Sequence, residues 1–76
     1  MMKAKEAALS KLGENIRSQR ERLGISQEEL ALEAGLDRTY VGGAERGERN
    51  LTILSALKIA KALKITLSEL TKEVQP

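Results

Sequence analysis

Apolar residues recur at helical spacing along most of this chain, and turn residues break the pattern four times. Leu12, Ile16 and Leu23 fall on one face, with Arg17, Arg20 and Arg22 interleaved, which predicts a first helix from about Leu9 that ends at Gly24. Ahead of it, residues 1–8 are good helix formers with few apolar anchors. They are expected to be a flexible or loosely helical extension, leaving residues 9–76 as the domain. Ser26 and Glu29 have the spacing of a capping box, in which the hydroxyl accepts one orphan amide and the carboxylate accepts another. They open a second helix with a narrow face of Leu30, Ala31 and Ala34, closed by Gly35. Asp37 is the expected N-cap of a third helix, with Val41 and Ala44 buried and Gly47 at its end. Thr52 opens a fourth, whose core face is Ile53, Ala56, Ile59, Ala60 and Leu63. Thr66 and Glu69 form a second capping box, starting a short fifth helix with Leu67, Leu70 and Val74. Five helices and short connections account for the whole domain, so the fold class is all-α.

Three features do not follow from that pattern alone. Arg20 lies on the apolar stripe itself, between Ile16 and Leu23, and a long cation in that place calls for a buried carboxylate. Gly42 and Gly43 sit side by side inside the third helix, where each costs about 0.8–1.0 kcal/mol relative to Ala. Room is the expected return: a helix without Cβ atoms there can approach a groove floor or a phosphate closely. Finally, the second and third helices are joined by a tight turn at Gly35, the arrangement of a helix-turn-helix. In that motif the second of the two helices enters the DNA major groove and reads bases with its N-terminal residues, and the first turn of this one carries Asp37, Arg38, Thr39 and Tyr40.

Composition narrows the choice. Seventy-six residues allow one small domain, without Cys or His. That leaves no disulfide, no ordinary zinc site, no thiol nucleophile and no histidine base, and no cofactor loop or metal cluster is visible. An enzyme is therefore not expected, nor is a metal or a cofactor. No apolar run approaches the ~18 residues of a membrane span, so no membrane association is expected and the location is read as cytoplasmic. The net charge of +2 is unevenly spread. Residues 1–24 carry six bases against three acids, whereas Glu28, Glu29 and Glu33 make residues 25–36 purely acidic. A surface with one basic and one acidic side suits a domain that faces DNA on one side.

The residues SQEELALEAGL, followed by DRTYVGGAERGERN and later IAKALKITLSEL, resemble the Cro/cI-type (XRE) helix-turn-helix of phage repressors and bacterial regulators. The likeness spans about Leu12 to Leu70 and implies a five-helix, lambda-repressor-like domain. Within the family, DRTY…G.ERGERN.T looks most like the controller proteins of restriction–modification systems, which are small dimeric regulators. The resemblance implies a sequence-specific transcription regulator, a homodimer on double-stranded DNA, and a restriction–modification operon as its setting. It implies base readout by Arg38 and Thr39. Backbone contacts would come from Gln27, Arg49 and Asn50, joined by Arg46 and by Tyr40 through its hydroxyl or its packing. It also pairs Arg20 with Glu45, which accounts for the cation on the apolar stripe. Leu54, Leu57, Ile65, Leu67 and Val74 are the expected dimer seam, with simple core packing as the alternative reading. The acids Glu28, Glu29 and Glu33 form a solvated face or a contact with RNA polymerase.

Two positions depart from the family. Gly43 stands where many members carry a polar base-reading side chain, so readout leans on Arg38, Thr39 and DNA shape. Lys64 replaces the glycine usual between the last two helices, which predicts a looser turn there. The competing reading is an antitoxin-like or protein-interaction module on the same fold.

Overall fold

Five helices follow one another in the computed structural model, which describes residues 3–76: α1 Ala4–Arg22, α2 Gln27–Ala34, α3 Arg38–Glu45, α4 Ile53–Ala62 and α5 Leu67–Leu70. Met1 and Met2, part of the expected extension, lie outside the described residues. α1 runs without a break from Ala4, so residues 4–8 are its first turns. Their side chains are mostly exposed, and strong helix formers suffice to prolong a helix that is anchored further on.

The caps stand where side-chain chemistry asks for them. Ser26 Oγ accepts from the Glu29 amide at 3.0 Å while Glu29 Oε1 accepts from the Ser26 amide at 3.0 Å, and Thr66 and Glu69 repeat the arrangement. Gly24, Gly35 and Gly47 take φ of 70°, 68° and 76° to close the first three helices. The core between the helices is built from Ile16, Leu30, Val41, Ile59, Leu63 and Leu70, all fully buried. Each contributes about 1.5–3 kcal/mol on burial. Ala31, Ala34, Ala44, Ala56 and Ala60 fill the spaces among them and let the helices pack closely.

Three expectations need correction. Ile53 is 70% exposed and does not belong to the core face of α4. It occupies the first position of that helix, where the buried stripe of Ala56, Ile59, Ala60 and Leu63 has not yet begun. Val74 lies beyond α5, which stops at Leu70. Asn15 on α1 donates through Nδ2 to the carbonyls of Leu70 and Lys72, at 2.9 Å each, and ties down the chain where the helix ends. The turn at Lys64 is not loose. Lys64 adopts φ 62°, and the Ile65 amide donates to the Ala60 carbonyl at 3.0 Å, as it would after a glycine. A left-handed Lys costs about 1–2 kcal/mol, which the buried neighbours Leu63 and Leu70 outweigh.

Candidate nucleic-acid interface

α3 is positioned from its far end. Arg20 Nε donates to Glu45 Oε2 at 2.7 Å and Arg20 Nη2 to Glu45 Oε1 at 3.1 Å, a bidentate pair whose side chains are 13% and 3% exposed. Arg20 Nη1 also donates to the Ile25 carbonyl at 2.9 Å, so the same guanidinium fixes the turn before α2. The hydrogen bond to Glu45 outweighs burial and raises the Arg20 pKa above its ordinary value, keeping it a cation. Gln27 completes the group: its Nε2 donates to Glu45 Oε1 at 3.0 Å. One N–H of a residue expected to meet a phosphate is thus committed inside the protein, and the other remains.

Gly13 is the residue that sequence reasoning passed over. A Cβ there would lie 2.5 Å from the Ala44 carbonyl oxygen and would collide with the Glu45 carbonyl as well. α1 and the end of α3 touch backbone to backbone, and Gly47 rests on α1 at Ser10 in the same way. The available signal was an isolated glycine inside an otherwise helical pattern, a sign of close approach.

The N-terminal turn of α3 is open. Asp37, Arg38 and Thr39 are exposed and Tyr40 is half-buried. Asp37 Oδ1 accepts from the Thr39 amide at 3.0 Å and from Thr39 Oγ1 at 2.8 Å. These bonds, the hydroxyl's first, hold the carboxyl below the ordinary aspartate range, and nearby Arg49 adds to the effect. Arg38 enters no hydrogen bond or ion pair among the described residues. It borders a shallow depression of about 320 Å³ with Glu28, Glu29, Leu32 and Leu36. Glu29 is already committed to the α2 cap, whereas Glu28 and Glu33 of the same helix have no side-chain partner among the described residues.

The paired glycines are covered by side chains. A Cβ on Gly42 would come within 3.2 Å of Arg46 Nη1 and 3.3 Å of Gln27 Oε1. One on Gly43 would meet Arg49 Cγ at 3.0 Å. The Arg49 side chain lies along the bare backbone of Gly43 and stacks on Tyr40, with Cζ 5.4 Å from the ring centroid. Arg46 Nε pairs with Glu48 Oε1 at 3.2 Å in solvent, and Asn50 is exposed nearby in sequence. The room left by the two glycines is therefore bordered by long polar residues expected to reach DNA, by the ends of the Arg46 and Gln27 side chains at Gly42 and by the Arg49 stem at Gly43.

The residues expected at a dimer seam divide. Leu54 and Leu57 are 63% and 46% exposed and continue the exposed surface of Ile53. Ile65 and Leu67 are partly buried and pack against the core, and Val74 is half-buried in the C-terminal segment.

Residues 16–70 match a sequence family described as helix-turn-helix. The chain is 48% identical over 59 residues to the control protein C.SmaI of Serratia marcescens, covering 78% of this chain and 70% of that one. Among solved structures it superposes on the restriction–modification controller protein C.AhdI of Aeromonas hydrophila with a TM-score of 0.80, at 52% identity. That match covers 82% of this chain and 94% of the other. The controller protein C.Esp1396I, solved on a 19-base-pair DNA duplex, gives a TM-score of 0.79 at 40% identity over 88% of this chain and 89% of its own. Variants of C.Esp1396I with an Arg, a Thr and a Tyr replaced at three successive positions have also been solved, the residue order of Arg38, Thr39 and Tyr40.

Proposed function

The chain belongs to the Cro/cI-type (XRE) helix-turn-helix family, beside the controller proteins of restriction–modification systems, and from that membership we propose that it is a sequence-specific DNA-binding transcription regulator acting as a homodimer on a pseudo-palindromic operator. The carrying observation is the exposed first turn of α3 on a helix whose other end is locked into the core. Arg38, unpaired and exposed, is suited to bidentate bonding with guanine O6 and N7, and Thr39 stands beside it. Gln27 with its remaining N–H, together with Arg46, Arg49 and Asn50, surrounds the helix with phosphate donors. Such contacts fix register without reading sequence. Tyr40 carries the stacked Arg49 and sets where that cation lies. Ile53, Leu54 and Leu57 form an apolar surface of the kind that marks a protein interface. A second copy docked there would set two reading helices about one DNA turn, roughly 10 base pairs, apart. The likeness to controller proteins supports a restriction–modification operon as the setting.

Binding measurements across a salt series test this reading. Arg38→Ala is expected to weaken the preferred sequence by about 1–3 kcal/mol while leaving bulk-DNA affinity almost unchanged. Equal losses on both kinds of DNA would remove Arg38 from base readout. Absence of any salt-dependent DNA affinity in the parent protein would favour the interaction-module reading instead. Leu57→Glu should lower the sedimenting mass to that of a monomer, and an unchanged mass would move the dimer interface elsewhere.

A further inference from the structure

The hydroxyl of Thr39 has only one way to point its proton. Its oxygen lies 2.8 Å from Asp37 Oδ1, and an ionised carboxylate can only accept, so Thr39 is the donor in that contact. The same carboxylate oxygen accepts the Thr39 amide at 3.0 Å, which holds the pair in register as the N-cap of α3. Asp37 is exposed, and its Thr39 bonds favour the ionised form. What Thr39 has left for a partner is its oxygen lone pairs and its methyl group.

That remainder is chemically selective. A freely rotating threonine hydroxyl donates or accepts, and so contacts any base edge. With its proton held, it has nothing to offer guanine, whose N7 and O6 are both acceptors in the major groove. It can accept from the exocyclic amine of adenine or cytosine, and its methyl can pack on the thymine methyl. An A·T pair is the one base pair that presents an amine and a methyl together. We propose that Asp37 is a specificity-determining positioning residue: by holding the Thr39 proton it turns Thr39 into an acceptor-plus-methyl probe that selects an A·T pair and rejects guanine. This rests on the reading that α3 enters the major groove. It sets two adjacent residues to opposite tasks, since Arg38 is donor-only and suits guanine.

Selection of bound duplexes from a randomised pool tests the assignment, run on the parent protein, Asp37→Ser, Asp37→Asn and Thr39→Ala. The base pair read by Thr39 is the one whose preference flattens in Thr39→Ala. Serine caps a helix about as well as aspartate but can donate as well as accept, so Asp37→Ser frees the threonine proton while keeping the cap. Asparagine keeps its oxygen toward the Thr39 amide and so still takes that proton. The expected result is an A·T preference at this pair in the parent and in Asp37→Asn. In Asp37→Ser it should fall roughly five- to tenfold, the lower end of what one base contact discriminates, with the Arg38 position unchanged. Thermal melts confirm that each variant is folded. Equal preference in Asp37→Ser and the parent, or equal loss in Asp37→Ser and Asp37→Asn, overturns the role of Asp37 and leaves DNA readout standing. A parent pool that converges on no motif overturns the DNA reading and this inference together.

Discussion

At its C-terminal end α3 is fastened by long-range polar contacts, while among the described residues the side-chain hydrogen bonds at its N-terminal end are only those of its own cap. Glu45 receives donors from two other helices, and Gly13 of α1 lies directly against the last carbonyls. At the other end the Asp37 side chain bonds only to Thr39, two residues on, and the Arg38 side chain bonds to nothing among the described residues. A reading helix needs both conditions. Base discrimination depends on placing donors to within a fraction of an ångström, which requires a rigid support. The reading residues themselves must be free of that support, so that they can change without unfolding the domain. Buried, multiply bonded groups supply the first condition, and exposed residues with local bonds supply the second.

Glu45→Ala puts the greatest strain on this contrast. It removes the acceptor of Arg20 and of Gln27 together and leaves a nearly buried cation unpaired, at about 3–5 kcal/mol. A domain of this size has little more than that to lose, so urea melts should show it largely unfolded in buffer. An unchanged midpoint would mean that α3 is not locked through this pair. Gly13→Ala probes the same end with a single methyl group. Helix propensity alone would stabilise the protein by about 0.8–1.0 kcal/mol. The clash is with backbone that cannot move aside, and overpacking of that kind costs about 1–3 kcal/mol, so a net loss is expected. A gain in melting temperature would show that the two helices can separate freely.

Gly43→Ala sharpens the comparison from the reading side, because the neighbour of its new methyl is the flexible Arg49 stem rather than backbone. Here the propensity term should prevail, giving a stability gain of up to about 1 kcal/mol. Arg49 would be pushed from its place over Tyr40, and DNA affinity should fall severalfold in the same protein. A stability loss like that of Gly13→Ala would erase the distinction between the two glycines. The expectation that position 43 was left bare for DNA is thereby refined: the space admits the protein's own arginine.

The elements were largely readable in the chain because caps and helix ends depend on a few neighbouring residues. Ser26 with Glu29, Asp37, Thr52, Thr66 with Glu69, and the glycines at 24, 35 and 47 each act within one turn, and each does so in the structure. The exceptions have non-local causes. The position of Ile53 outside the core depends on where the packing of α4 begins, and the end of α5 before Val74 is set by Asn15, far away in the chain. Lys64 could not be read as a tight turn because its left-handed backbone is imposed by the packing around it.

Sequence by itself determined the five helices, their caps, and a helix-turn-helix with Arg38 and Thr39 at its exposed start, because periodicity and capping are local properties. Tertiary structure alone decided that Gly13 must lack a side chain, that Gln27 shares Glu45 with Arg20, and that Arg49 fills the space above Gly43. Each of these depends on how closely two distant segments approach, a distance fixed only when the helices have packed.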